Sequence, residues 1–107
     1  MNESAFLHMV YFYARPDGTM EDATRTMEGC RRLLSGIPGV LRLEVGIPAG
    51  TKRDVVDNSY LVALLVEFAD ADAQDAYQVH PDHLTFVKEY SPLWSRVQVF
   101  DTILLKN

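Results

Sequence analysis

Hydrophobic and polar positions recur with two different periods along this chain, and each change of period marks a new element. Residues Ala5 to Tyr13 read as a first strand. Phe6, His8, Val10 and Phe12 share one face and Leu7, Met9, Tyr11 and Tyr13 the other, so both faces are largely apolar. Arg15-Pro16-Asp17-Gly18 supplies a turn. A helix follows, with Thr19 as candidate N-cap and Glu21 and Asp22 in its first turn. Met20, Ala23, Met27, Cys30, Leu33, Leu34 and Ile37 recur at steps of three and four as one apolar stripe, which Gly36 and Pro38 end. Val40 to Ile47 returns to alternation, with Leu41, Leu43, Val45 and Ile47 set against Arg42, Glu44 and Gly46. Pro48 to Asn58, with Lys52, Arg53, Asp54 and Asp57, is a polar surface loop. Tyr60 to Phe68 is almost unbroken apolar sequence, the pattern of a strand buried on both faces. Asp70 and Asp72 open a second helix bearing Ala73, Ala76, Tyr77 and His80. Pro81 starts a further helical turn, where its missing N–H is not needed. Leu84, Val87 and Tyr90 continue the spacing, Ser91-Pro92 breaks it, and Val97 to Leu105 is a last strand.

The order β-α-β-β-α-β predicts an α+β fold of the ferredoxin-like kind across residues 1–107, one domain with a four-stranded, mainly antiparallel sheet and helices on one face. Two helical regions cover only that face, yet the first, third and last strands are apolar on both. The uncovered face would expose far more apolar surface than a monomer usually shows. A second copy packed sheet against sheet resolves this, so a homodimer is expected.

Composition narrows the partners. The 107 residues carry a formal net charge of −5, which disfavours nucleic acid and an anionic membrane surface. No apolar run reaches the roughly 18–20 residues needed to span a bilayer. The start, Met1-Asn2-Glu3-Ser4, lacks a basic region followed by an apolar one, as a secretory signal requires. The one cysteine, Cys30, has no intrachain partner, which points to a reducing cytoplasm, and its place in the helix stripe points to a buried, inert thiol.

Candidate chemistry concentrates in Tyr77-Gln78-Val79-His80-Pro81-Asp82-His83. A phenol and two imidazoles this close can hold an oxyanion or move protons near neutral pH. His8, on the first strand, is placed to join them from the sheet. Each has a plainer reading: His80 as a cap on carbonyls of the preceding turn, His8 as a hydrogen-bonded core histidine, and Tyr77 with His83 as packing. His80-x-x-His83 with Asp82 has ligand types but not a strong zinc spacing. No phosphate loop, dinucleotide fingerprint or Gly-x-Ser-x-Gly elbow is present.

Five segments together resemble the stress-responsive α/β-barrel (Dabb) family: His8-Met9-Val10-Tyr11-Phe12; Ile37-Pro38-Gly39-Val40; Val66-Glu67-Phe68-Ala69-Asp70; Ala76 to His83; and Arg96-Val97-Gln98-Val99-Phe100-Asp101. The resemblance spans nearly the whole chain, and its Tyr-x-x-His-Pro-x-His core is fairly specific. It implies a ferredoxin-like homodimer whose sheets curve into a barrel. Most bacterial members have no assigned activity. In one plant member, olivetolic acid cyclase, the tyrosine and second histidine of the shared core catalyse the aldol condensation of a linear polyketide, and they align with Tyr77 and His83. Another histidine of that enzyme aligns with Val62, where this chain departs. Some members hold a magnesium-type cation on carbonyls at the end of the first helix, which fall here on Leu34, Ile37 and Val40.

Three functions follow as expectations. The first is a dimer that binds a small apolar or aromatic ligand between sheet and helices, with His8, Tyr77, His80 and His83 as contacts. The second is a cyclase-like enzyme in which His83 removes a proton beside a carbonyl, Tyr77 donates to the developing enolate and His8 orients or polarises. The third is a purely structural dimer module. Phe6, Phe12, Phe86, Tyr90 and Trp94 are bulky enough to fill a cavity near the rings.

Overall fold

Strand β1 (Ala5–Ala14) lies inside a four-stranded sheet of order β2-β3-β1-β4, antiparallel at every pairing, with β2 Arg42–Gly46, β3 Val62–Phe68 and β4 Trp94–Leu104. The computed structural model describes residues 5–105, so the reading of the Met1–Ser4 start lies outside the described residues. Phe6, His8, Val10 and Phe12 of β1 are buried beside Val62, Leu64, Val66 and Phe68 of β3. The opposite residues of these strands are half-buried. The expectation that β3 is buried on both faces is therefore corrected for the single chain, because helices cover one face only.

Helix α1 (Met20–Gly29) starts at Thr19, whose N–H donates to the Asp22 carboxylate at 3.1 Å. It continues as a π-helical turn over Cys30–Leu34 and stops before Gly36. The predicted stripe shifts accordingly. Met20 lies exposed, while Thr26 and Gly29 join Ala23, Cys30 and Leu34 inside. Gly29 is required by a close approach: a Cβ there would lie 2.5 Å from Cζ of Tyr90. Gly39, at φ +96°, makes the turn into β2, a backbone conformation that favours glycine. Strand β2 is shorter than Val40–Ile47, and Leu41 and Ile47 lie exposed beside it.

The second helical region is two helices, α2 (Ala71–Gln78) and α3 (Pro81–Tyr90). Asp70 caps α2 by accepting from the Ala73 N–H at 2.9 Å. Because Pro81 restarts the backbone, the phase of the apolar face changes across the junction. Gln74 and Tyr77 point inward from α2, and Phe86 with half-buried His83 and Tyr90 from α3. Ala76, Leu84 and Val87, which continued the spacing in one frame, are exposed. After a 3₁₀ turn at Ser91–Leu93, β4 begins at Trp94, three residues before the predicted start, with buried Trp94 pairing Ala14 across a register shift. No helix among the described residues is long and apolar enough to cross a membrane.

Candidate functional site

The register of β1 lays out the floor of a cavity between the sheet and the helices. His8 pairs with Val66 on β3 and Asp101 on β4, and four residues along, Phe12 pairs with Val62 and Val97. Side chains of directly paired residues share a face, so His8, Val10, Phe12, Val97, Val99 and Asp101 all face the helix layer. That layer leaves the β4 part open: Val97 and Val99 are each 41% exposed. Leu34, Phe86, Val87 and Trp94 complete the walls of a cavity of about 210 Å³ that opens beside β4.

Tyr77, His83 and His8 meet at one end of it. The ring centroids of Tyr77 and His83 are 4.9 Å apart and those of Tyr77 and His8 5.8 Å, both edge to face. Tyr77 also stands edge-on to Phe68 at 5.0 Å. It is 1% exposed, and burial raises its pKa well above the ordinary phenol value, with a smaller push from Cys30. The phenol therefore stays protonated at neutral pH and acts as a donor. Among the described residues nothing bonds its hydroxyl.

His83 is the base-like member of the group. Burial, and secondarily the nearby His8, lower its pKa below the usual imidazole value, so the neutral ring predominates at pH 7. Its Nδ1 is buried without a hydrogen-bond partner among the described residues.

His8 is tied down instead. Its Nδ1 lies 2.6 Å from the Asp101 carboxylate, and since a carboxylate only accepts, Nδ1 carries the proton. In the neutral ring this leaves the lone pair on Nε2. Asp101 is the site residue that sequence reasoning missed. Its only signal was an acid among apolar positions on the last strand, and its partner lies 93 residues away.

His80, expected as a ligand contact, does not line the cavity. Its Nδ1 accepts the N–H of Asp82 at 3.0 Å, which makes it the N-cap of α3. The expected cap on the preceding carbonyls is thus corrected: Pro81 leaves the free N–H groups on the following helix, and the imidazole turns to meet them. Cys30 is fully buried and burial pushes its thiol up to about 12, so it stays protonated.

The Leu34 and Ile37 carbonyls each accept one N–H bond, from Ile37 at 3.2 Å and Val40 at 3.1 Å. Each keeps a second lone pair, but among the described residues no group of three His, Cys, Asp or Glu side chains converges to hold a metal ion.

On the opposite sheet face a wider basin of about 500 Å³ is lined by Tyr11, Tyr13, Tyr60, Phe100, Arg96, Gln98 and Asp57. The Arg96 guanidinium lies 3.8 Å from the centre of the Tyr13 ring.

A family model for the stress responsive A/B barrel domain matches residues 6–104. A Dabb-family protein of ferredoxin-like fold from Mesorhizobium loti is 27% identical, with a TM-score of 0.77 over 96% of this chain and 99% of that one. Two others share the fold. A dimeric ferredoxin-like protein of unknown function from Thermobifida fusca has a TM-score of 0.77 at 20% identity, over 94% of this chain and 92% of that one. The hydroxynitrile lyase of Passiflora edulis reaches 0.79 at 16% identity, over 98% and 97%. No curated protein sequence matches the chain.

Proposed function

The chain belongs to the stress responsive A/B barrel domain family, and from that premise we propose that it is a homodimer binding a small apolar or aromatic molecule between its sheet and helices. The observation that carries this reading is the cavity of about 210 Å³, whose apolar walls end in Tyr77, His83 and His8. An apolar concavity with a few convergent polar groups is the usual make-up of a small-molecule site. Support for the dimer comes from the uncovered sheet face, with Leu7, Met9 and Tyr11 half-buried and Phe100 and Leu104 exposed, and from the dimeric state of a relative of the same fold. A lone thiol protected in the core fits a cytoplasmic location.

Binding is tested on the indole N–H signal of Trp94, the one tryptophan, which lines the cavity. Titration with toluene or acetophenone is expected to move that signal saturably. Val99→Trp, which fills the opening, abolishes the effect. The absence of any saturable shift in the unmodified protein would remove this reading. Light scattering at micromolar concentration is expected to give the mass of a dimer, and a stable monomer contradicts it.

A second reading, proton transfer beside a carbonyl, is favoured by the unpartnered Nδ1 of a neutral His83 next to a phenol that keeps its proton. His83 would take the proton and Tyr77 would donate to the developing oxyanion. With a turned-over substrate in hand, His83→Ala is expected to lower turnover by roughly 10²-fold or more while the dimer persists. Unchanged turnover takes His83 out of the mechanism.

A further inference from the structure

Resting on the reading that this cavity holds a ligand, we infer that it selects a neutral molecule about one six-membered ring in size, with one oxygen function at one end, and discriminates against the matching carboxylate.

The two ends of the cavity differ in chemistry. Tyr77 touches His8, His83 and Phe68, and Phe68 pairs with Phe6, so the protic groups gather at the Phe6–His8 end of β1. Phe86 touches Phe12 and Trp94, with ring centroids at 6.0 and 5.5 Å, so the aromatic groups gather four residues further along. Four residues of antiparallel strand span about 13–14 Å. Gln78, the other polar residue of the lining, follows Tyr77 directly in the chain, and its Oε1 accepts from the Gln74 side-chain amide at 2.8 Å. A ligand therefore has its place for an oxygen at the Tyr77 end and a dry aromatic wall for the rest of its body.

Size and charge follow from the same walls. An apolar cavity of roughly 150 Å³ accepts a benzene ring, so about 210 Å³ leaves space for one ring and a short substituent. None of the lining residues is Lys or Arg. The carboxylate in the neighbourhood, Asp101, is held by His8 and carries negative charge towards the protic end. An anion entering here would shed its water with no Lys or Arg to receive it, which is more costly than burying a ketone that Tyr77 can hydrogen-bond.

Acetophenone and benzoate share a ring and differ in the charge of the head, so they form the test pair, read at pH 7.5 from the Trp94 indole signal. Acetophenone is expected to bind at least about tenfold more tightly than benzoate, a difference of about 1.4 kcal/mol. Benzoate binding within tenfold of acetophenone, or more tightly, overturns the selectivity and leaves the ligand site standing. If neither acetophenone nor toluene binds, the site reading fails and this inference fails with it. Orientation is tested separately with Tyr77→Phe, which is expected to weaken acetophenone several-fold and leave ethylbenzene, which has no oxygen, unchanged. Equal loss for both ligands overturns the placement of the oxygen at Tyr77.

Discussion

Removing the carboxylate from Asp101 tests how the site is held. The His8 Nδ1–H to Asp101 bond spans 2.6 Å between directly paired residues of β1 and β4, with the imidazole 6% and the carboxylate 43% exposed. Asp101→Asn keeps the shape and an accepting oxygen but loses the charge. A bond to a charged group contributes about 1.5–3 kcal/mol and a neutral one about 0.5–1.5. The difference, discounted because the carboxylate is partly in water, comes to about 0.5–1 kcal/mol. Asp101→Ala goes further and leaves the buried Nδ1 of His8 without a hydrogen-bond partner, at about 1–3 kcal/mol. The expected order of stability is therefore wild type, Asn, Ala. Urea unfolding at one fixed protein concentration measures it, with the slope unchanged and the midpoint lowered. At about 4–8 °C per kcal/mol for a domain near this size, the alanine variant should melt at least several degrees lower. Histidine ¹⁵N shifts add an independent readout. The proton of neutral His8 sits on Nδ1 in the native protein and is expected to redistribute to Nε2 in the alanine variant. An alanine variant as stable as wild type, with the same tautomer, would refute the role given to Asp101.

Three further outcomes follow from the packing. Gly29→Ala places a methyl group 2.5 Å from the Tyr90 ring; overpacking of about 1–3 kcal/mol outweighs the gain in helix propensity, and the same substitution made in a Tyr90→Ala background should lower the midpoint by less, as thermal melts would show. His83 binds its proton less readily when folded than its ordinary value near 6.5, so the unfolded chain takes up the proton first on acidification. Its contribution to stability is therefore flat above about pH 6.5 and falls as the pH drops through that value, a decline that urea midpoints at pH 7.5 and 5.5 should find reduced in His83→Gln. His80→Ala removes the cap on the Asp82 N–H and should cost about 0.5–1 kcal/mol, whereas His80→Asp should retain most of that stability in the same melts.

Much of the fold was legible because alternation and helical spacing are local records of which side of each element is apolar. The two faces of β1, the cap at Thr19, the interruption at Pro81 and the uncovered sheet face could all be read in that way. The same reasoning brought Tyr77, His83 and His8 forward as candidates, since an ionisable ring on an apolar face needs an explanation wherever it falls. It erred where position depends on a second element. The apolar spacing carried past Pro81 picks out Leu84 and Val87, whereas Phe86 is the buried residue of α3, Leu84 lies exposed and Val87 stands at the open wall of the cavity. The helix stripe included Met20 and omitted Thr26, whose hydroxyl accepts from the Trp94 indole at 3.1 Å, a contact made only when β4 returns beneath α1.

By itself, then, the sequence determined the order of the elements, their apolar faces and the kinds of groups available for chemistry. Tertiary structure alone decided that His8 is held by Asp101, that His80 turns to its own helix, and that the bulky rings of Phe12, Phe86 and Trp94 line a cavity at one end instead of filling it. The physical reason is range. Amphipathic period is set within a few residues, whereas a hydrogen bond across paired strands or an opening beside an uncovered strand depends on where the chain returns after many tens of residues.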